Sequence, residues 1–318
     1  MIRNSKEKWY KQLKSLLKKV EHKVVVIGCS GWVDSMSLLD IVKNEWKTTK
    51  IIVAHVHHGL RKSATKDQKI VTDYCKKYWI PLETKKIDAK KESKQEKMTI
   101  EEYARKVRYD FFNSLCRKYN ANYILTAHHA DDQAETLIYR ITKWTSITGL
   151  VGIEENVGNY LRPMISMSKQ DIIDYAEKNN IIFGYDETNE DISIPRNRLR
   201  HNVLPELTKV NPEAVSAIIR LGNSANQLKK SFDLFFEKMI TWNSFSIDWY
   251  HSLPLGFQHE LLRLVYERTN GSTHGLSTSL IEELDRFLST RNGGKKEIKK
   301  MKLEKKQGKV IFWQIIIR

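Results

Sequence analysis

A short loop at residues 29–36 contains the residue types needed to bind a polyanion. It follows an apolar run at 24–28, and an apolar-periodic segment begins at Ser35, which predicts a buried strand, a tight turn and a helix start. Small residues let a phosphate approach the backbone, and the amide groups at a helix start favour anions. The anion-binding residues that we predict here are Ser30, Gly31, Trp32, Val33, Asp34 and Ser35.

Asp34 places a carboxylate among these phosphate-binding groups. A carboxylate beside phosphate ligands indicates a Mg²⁺ ion held between the two. The loop lacks the Gly-Lys-Ser/Thr ending of a Walker A sequence, so the residues do not predict a P-loop NTPase.

A second reactive segment begins at His128, where another apolar run ends and a helix is predicted. Asp131, Asp132 and Glu135 are three or four residues apart, so they share one helical face. Interaction with the helix dipole would account for one or two such acids. Three acids and two histidines exceed that need, and we interpret them as a site for Mg²⁺ or for the ammonium groups of a cationic co-substrate. A zinc site is disfavoured because no third ligand has ordinary spacing.

Two pairs of arginines are further candidates. Arg105 and Arg108 lie at helical spacing, although a solvated charged face would give the same pattern. The polar stretch at 186–205 contains Arg196 and Arg200, whose forked donors suit phosphates or carboxylates.

The apolar run at 51–56 contains His55 and leads into a loop with His57, His58 and Arg61. His55 fits a buried core histidine as well as a nucleotide-binding residue, and the residues leave both interpretations open. The loop residues could contact phosphate, but this pattern alone is weak.

Strands and helices alternate through the first two thirds of the chain, which predicts an α/β fold with a doubly wound parallel sheet. In such sheets, ligands bind beyond the carboxyl ends of the strands. Each predicted strand is followed by polar residues able to do chemistry, so one shared site is expected. The predicted strands are 24–28, 51–56 and 123–127, and the predicted helices lie near 6–20, 35–45, 66–79, 98–119, 131–143 and 168–179.

The pattern changes near residue 205. Three further helices are predicted with no strand between them, so a smaller helical domain is expected. The Lys-rich end of the chain contains an apolar stretch that predicts a short β element, in a hairpin turned at Gln307-Gly308. The parts that we predict are a catalytic domain at 1–205, a helical domain at 206–290 with helices at 212–240, 255–268 and 277–290, and a basic tail at 291–318.

Composition limits the class of protein. The 318 residues are 41% hydrophobic, as in a globular protein, and 54 Lys+Arg against 38 Asp+Glu give a formal net charge of +16. This excess favours a polyanionic partner such as nucleic acid, although a basic proteome would also produce it. The three scattered cysteines predict neither a disulfide framework nor a cysteine-rich metal site. No apolar run is long enough for a signal peptide or a membrane span, so we expect a cytoplasmic protein with no membrane partner.

Together these motifs resemble the tRNA(Ile)-lysidine synthase family of PP-loop ATP pyrophosphatases. The resemblance covers essentially the whole chain, including a first carboxyl-terminal domain. Its most specific part combines the acidic helix start with the Asp-x-Thr-Asn and Arg-Asn segment. The matching motifs are Ser30–Ser35, His57–Arg61, Glu102–Tyr109, His128–Thr136, Gly149–Ile153, Leu161–Pro163, Asp186–Asp191 and Arg196–Arg200.

The resemblance implies a two-step reaction. ATP adenylates the C2 oxygen of the cytidine at the first anticodon position of a minor tRNA(Ile) with a CAU anticodon, and pyrophosphate leaves. The amine of L-lysine then displaces AMP to give lysidine. The loop would hold the pyrophosphate and Asp34 the Mg²⁺. The basic helical domain and tail would hold the tRNA through its phosphates.

The same resemblance assigns roles to the other candidates. Asp132 and Glu135 would bind the ammonium groups of lysine. Arg105 or Arg108 would bind its carboxylate or the nucleotide. The remaining implied contacts are those of His55 and Arg108 with ATP, and of Arg196 and Arg200 with phosphate near the adenylated base. The oligomeric state stays open, with a homodimer as one option.

Trp32 departs from the family loop, which has a glycine there. If the position requires a positive φ or a close phosphate approach, the substitution costs about 1–3 kcal/mol in strain. Three interpretations stay open: a ring turned outward, a slow enzyme, or a single-codon variant.

The rival functions are a catalytically impaired tRNA-binding protein and a tRNA thiolase, although thiolases usually rely on paired cysteines.

Overall fold

The structure is a computed structural model that describes residues 11–314 apart from 17, 60–63, 144–145, 186–191, 193, 274 and 291–292. Several residues of the predicted motifs therefore lie outside the described residues, namely Leu60, Arg61, Asp186, Thr188, Asn189 and Asp191. The chain divides into two compact units. One comprises Met1–Trp144 with Gly152–Gly222, and the other comprises Thr145–Val151 with Asn223–Arg318.

Six strands form the sheet of the first unit: β1 (Val24–Gly28), β2 (Lys50–His57), β3 (Leu82–Lys86), β4 (Tyr123–Leu125), β5 (Asn156–Val157) and β6 (Tyr160–Leu161). Their order across the sheet is β3-β2-β1-β4-β6-β5. Neighbouring strands are parallel except that β5 runs antiparallel to β6. The predicted doubly wound α/β sheet is confirmed.

Helices lie between these strands or follow the last of them. They are α1 (Val33–Glu45), α2 (Ala64–Lys77), α3 (Ala89–Gln95), α4 (Ile100–Tyr119), α5 (Ala130–Ile141), α6 (Lys169–Lys178), α7 (Pro195–Arg198), a π-helical turn (Leu199–Val203), α8 (Leu204–Val210) and α9 (Ala214–Met239). Reciprocal capping boxes fix the starts of helices α4 and α6. Thr99 and Glu102 cap α4, and Ser168 and Asp171 cap α6. The side chain of Glu102, which is part of a predicted motif, therefore caps the start of its own helix.

The sheet is buried on both faces, which explains why its central strands are continuous apolar runs. Val25 and Ile27 of β1 belong to one apolar cluster with residues of α1, α2 and α6. Val26 belongs to another with Phe112 and Leu115 of α4. The strand order reverses at β1, so the loops that follow β1 and β4 lie side by side at the carboxyl edge, where such sheets bind ligands.

The second unit combines helices with an antiparallel sheet of order β7-β10-β9-β8. The predicted hairpin is present, and its two-residue turn has positive φ at both Gln307 and Gly308 (49° and 71°). Its elements, besides the end of α9, are a 3₁₀ turn (Ile147–Gly149), β7 (Ser244–Ser246), α10 (Ile247–Ser252), α11 (Leu255–Asn270), α12 (Thr278–Ser289), β8 (Gly294–Ile298), β9 (Met301–Lys306) and β10 (Lys309–Gln314).

The prediction that no strand separates the carboxyl-terminal helices is wrong, because β7 pairs with β10. Within its three residues only Phe245 is buried, so the sequence shows no alternating pattern there. The helical domain boundary near residue 205 stays a prediction. Across the part of the chain that the structure describes, no helix is both long and apolar enough to cross a membrane.

Candidate active site

The loop between β1 and α1 is closed by its two serines. The Ser35 hydroxyl accepts the backbone N–H of Ser30 at 3.0 Å and donates to the carbonyl of Trp32 at 3.1 Å. The two hydroxyl oxygens are 3.0 Å apart. Gly31 has a φ of +96°, and a Cβ there would lie 2.9 Å from the carbonyl oxygen of Asp67. This position therefore requires glycine.

Trp32 does not share that requirement. Its φ of −91° and ψ of 165° are extended backbone that any residue adopts. The indole Nε1–H donates to Asp67 Oδ2 at 3.3 Å, so the ring edge points towards helix α2. The strain that a glycine-like conformation would impose on Trp32 is therefore absent.

His55 is buried beneath the start of this loop. Its Nδ1 donates to the carbonyl of Cys29 at 2.9 Å, whereas Nε2 is buried and has no hydrogen-bond partner among the described residues. Burial, the largest cause, lowers the pKa of His55. His55 is thus only half satisfied as a core histidine, and an unpartnered polar atom remains beside the loop.

Four carboxylates converge at the adjoining ends of α1 and α5, and we call Asp34, Asp131, Asp132 and Glu135 the acidic group. Three of them surround the buried His129. Its Nε2 lies 3.4 Å from Asp132 and 3.8 Å from Asp34, and its Nδ1 lies 3.5 Å from Asp131. The predicted shared face of Asp131, Asp132 and Glu135 therefore lies beside the loop at residues 29–36, which we call the phosphate loop.

Two cationic side chains reach into the acidic group. Arg200, on the π-helical turn, places Nε 2.6 Å from Glu135 and Nη2 3.5 Å from Asp132. Lys169, at the first position of α6, places Nζ 2.5 Å from Asp34 Oδ1. Three of the predicted catalytic residues are thus already paired with cations.

The pKa values in the acidic group follow from burial and charge. Burial raises the pKa of Glu135 above its usual range, against the opposing effect of Arg200. For His129, burial alone would lower the pKa, but the nearby carboxylates of Asp131, Asp132 and Asp34 raise it overall. The surroundings of His129 therefore favour a cation.

A second cluster lies beside the first, and we call Arg105, Arg108, Arg162 and Arg196 the basic group. Burial is the largest cause that lowers the pKa of Arg108, and the charges of Arg105 and Arg196 lower it further. His128 lies in the same electrostatic environment. Its pKa is lowered to about 4, mainly by burial and also by the charges of Arg162, Arg105 and Arg108, whereas the charge of Asp132 raises it. These surroundings favour an anion.

One side chain of the basic group, Arg162, keeps a buried donor with no hydrogen-bond partner in the part of the chain that the structure describes. Arg162 is buried, its Nη1 donates to the carbonyl of Glu154 at 2.5 Å, and its Nε has no hydrogen-bond partner among the described residues. The guanidinium of Arg105 stacks over the ring of Tyr109, with 4.8 Å between Cζ and the ring centroid. Arg196 lies on α7, whose first residue is Pro195.

Sequence reasoning missed Lys169 and Asp67 as members of the site, and it gave no role to Arg162 although Arg162 lies in the matching motif Leu161–Pro163. Arg162 follows a two-residue strand, so its position alone indicates no function, and Lys169 follows an ordinary helix cap that carries no local signal. Asp67 is a first-turn acid of α2, a common position for an acid, yet it is buried against the loop.

The donor set fits a Mg²⁺ ion shared with a ligand rather than one held by protein alone. Within the described ranges, no three His, Cys, Asp or Glu side chains form a metal-holding group. Mg²⁺ in nucleotide sites is usually bound by one or two carboxylates together with substrate phosphates and water. Asp34, at the edge of the phosphate loop, meets that requirement.

Comparison with known proteins agrees with this geometry. The PP-loop domain family matches residues 5–207. A tRNA(Ile)-lysidine synthase of Petrotoga mobilis is 31% identical over 291 residues, covering 90% of this chain and 91% of that protein. This chain belongs to the tRNA(Ile)-lysidine synthase family. Its nucleotide is accordingly ATP, the ligand class of the PP-loop ATP-binding domain.

Other members of the lysidine synthase family are longer than this chain. The enzymes named tRNA(Ile)-lysidine synthase in Thermotoga maritima and Clostridium tetani are 34% and 38% identical over 67% of this chain. The matched part spans about half of their length, 52% and 47%. Among solved structures, the U34-tRNA thiolase NcsA of Methanococcus maripaludis has a TM-score of 0.55 at 16% identity, over 70% of this chain and 81% of that one, and shares the fold.

Proposed function

We propose that this protein ligates L-lysine to C2 of the cytidine at the first anticodon position of a minor tRNA(Ile), with ATP converted to AMP and pyrophosphate. The observation that carries the proposal is the acidic group placed directly beside the phosphate loop. Phosphates require cations around them, so clustered carboxylates at this point indicate a cationic co-substrate. The names of the relatives supply its identity as lysine.

The acidic group supports a lysine-binding role in its present state. Asp132 and Glu135 already hold the guanidinium of Arg200, a cation with donors like those of an ammonium group. Lysine binding at these carboxylates would require Arg200 to shift towards the negatively charged adenylate. The same movement of Arg200 would free Asp132 and Glu135 for lysine and would bring the Arg200 guanidinium to the phosphate of the adenylate. Binding that phosphate is the role that we propose for Arg200.

The phosphate loop and the basic group account for the other substrates. The hydroxyls of Ser30 and Ser35 and the amides at the start of α1 would hold the leaving pyrophosphate, with Asp34 holding Mg²⁺. Mg²⁺ supplies charge neutralisation on the phosphates when bound. His55, whose buried Nε2 has no hydrogen-bond partner among the described residues, would bind the nucleotide. Arg105, Arg108 and Arg196 would hold the lysine carboxylate and the phosphates of the anticodon loop, which carries the CAU anticodon. A tRNA substrate also agrees with the predicted cytoplasmic location.

A tRNA thiolase is the rival with the same fold. The thiolase NcsA of Methanococcus maripaludis holds a [4Fe-4S] cluster, whereas the three cysteines of this chain are all buried and free. Burial raises the pKa of Cys29 to about 11 and that of Cys75 to about 12. Thiols of this kind are poor nucleophiles and poor metal ligands.

Incorporation of labelled L-lysine into unmodified tRNA(Ile), with ATP and Mg²⁺, tests the proposal. The protein is assayed beside its Trp32→Gly variant. We expect both to transfer lysine, because the backbone at Trp32 is unstrained and the indole points to Asp67. Loss of that hydrogen bond and the added backbone freedom should cost Trp32→Gly about 1–2 kcal/mol of unfolding free energy.

The other outcomes of this assay are equally informative. Transfer by Trp32→Gly alone would identify the natural chain as the impaired tRNA-binding form. Failure of both proteins, folded and bound to tRNA, would refute lysidine formation. Omission of ATP and replacement of lysine by ornithine are the controls for specificity.

A further inference from the structure

Lys169 begins helix α6, and its side chain reaches the phosphate loop. Its Nζ lies 2.5 Å from Asp34 Oδ1, and its backbone N–H donates to Asp131 Oδ2 at 2.8 Å. Just before it, the carbonyl of Met167 accepts the N–H of Ala130 at 2.8 Å. The start of α6 is thus fixed to the start of α5, with the ammonium group aimed at Asp34.

The packing of α6 does not depend on this ion pair. Ile172 and Ala176 bury the helix in the main core, and the Tyr175 hydroxyl donates to Asp40 of α1 at 2.9 Å. The side chains of Lys169 and Asp34 are 39% and 23% exposed. Partly exposed ion pairs contribute little to stability, so the position of Lys169 needs another explanation.

A Mg²⁺ ion on Asp34 would conflict with the present position of Lys169. Two cations within a few ångströms of one carboxylate oxygen repel each other, so the ammonium group must leave Asp34 when the metal arrives. The nearest anions would then be the phosphates held by the same loop. A lysine ammonium on its flexible stem suits phosphate as a mobile point charge.

We propose that Lys169 is an exchangeable counter-ion, which neutralises Asp34 in the nucleotide-free protein and moves to a nucleotide phosphate when Mg²⁺ binds Asp34. The proposal rests on the nucleotide site of the proposed function, but not on tRNA or lysine. On this proposal Lys169 binds phosphate when Mg²⁺ is present, and its ammonium group competes with Mg²⁺ for Asp34. Its removal should therefore raise the dissociation constant for ATP measured without metal and lower the Mg²⁺ concentration needed for half-maximal binding.

The test measures ATP binding by calorimetry, without tRNA or lysine, for the natural protein and for Lys169→Met. In EDTA, Lys169→Met should bind ATP about tenfold more weakly, because the Asp34 carboxylate is no longer neutralised and repels the phosphates. At fixed ATP, the Mg²⁺ concentration for half-maximal binding should fall severalfold, because the competing ammonium group is gone. Lys169→Arg should preserve the affinity for ATP in EDTA.

The matched control is Lys43→Met, which removes a lysine 3.4 Å from Asp40 on the same helix as Asp34. We expect it to leave both quantities unchanged. The proposal is overturned if Lys169→Met changes only the melting temperature, or if the ATP dissociation constant and the half-maximal Mg²⁺ concentration both rise or both fall. It is also overturned if the natural protein binds no ATP. Failure of lysine transfer with these two shifts intact would refute only the lysidine reaction.

Discussion

The acidic and basic groups occupy one site, yet they give two consecutive histidines opposite properties. His129 is surrounded by Asp34, Asp131 and Asp132, and its pKa is raised in spite of burial. His128 experiences burial and three arginines, and its pKa falls to about 4. At neutral pH, His128 therefore stays neutral, whereas the environment of His129 favours its protonated form.

The difference teaches how one cleft can distinguish substrates of opposite charge. The two histidines are consecutive in the sequence immediately before α5. The acidic group around His129 favours a cation, and the basic group around His128 favours an anion. Lysine has an ammonium group for the acidic group and a carboxylate for the basic group. The adenylated tRNA presents phosphates to the loop and the arginines. If this division is functional, changes in the two groups should impair different steps.

Glu135→Gln should have the largest effect. It removes the charge that pairs with the half-buried guanidinium of Arg200, leaving Asp132 beside it, and removes a ligand for the lysine ammonium, which should reduce lysine transfer about 100-fold or more. The release of pyrophosphate that depends on tRNA should change only severalfold. The exposed Glu177→Gln on α6 serves as the control. An equal loss of both steps would break the distinction between the two groups.

Arg196→Gln should have an intermediate effect, confined to the anionic substrate. We expect tRNA affinity to fall about tenfold and the slope of log K against log salt to decrease by about 1, as for the loss of one phosphate contact. ATP affinity should stay unchanged. Filter binding over a range of salt concentrations measures both values. An unchanged slope would remove Arg196 from the tRNA-binding residues.

The smallest effect concerns His128 and its pH dependence. The unfolded chain binds a proton at His128 near pH 6.5, but the folded protein does so only near pH 4. The folded state is therefore progressively destabilised by this residue as pH falls through that interval. His128→Gln should remove this contribution, so its unfolding free energy relative to the natural protein should improve as pH falls.

Imidazole NMR titration in EDTA measures the same property directly. Arg105→Gln should raise the pKa of His128, and Asp132→Asn should lower the pKa of both histidines, because these charges act on them as described. Equal pKa values for the two histidines in the natural protein would contradict the comparison itself.

Much of the fold follows from local sequence. The central strands are apolar runs because both faces of the sheet are buried, and the alternation with amphipathic helices predicts their parallel arrangement. Strand β3, with the sequence Leu-Glu-Thr-Lys-Lys, has no buried residue and so no detectable pattern. Strands β5, β6 and β7 are two or three residues long and exist only through their partners.

The sequence by itself determined the chemistry that is available: a phosphate loop at a helix start, clustered acids after β4, and arginines at helical spacing. These are local features, set by backbone turns and by side chains three or four residues apart. The tertiary structure decided which of these groups meet. Arg200 and Lys169 pair with acids 65 and 135 residues away in sequence. Trp32 is relaxed only because its backbone is extended and Asp67 receives its indole. Such contacts depend on how helices pack around the sheet, and no local pattern encodes that packing.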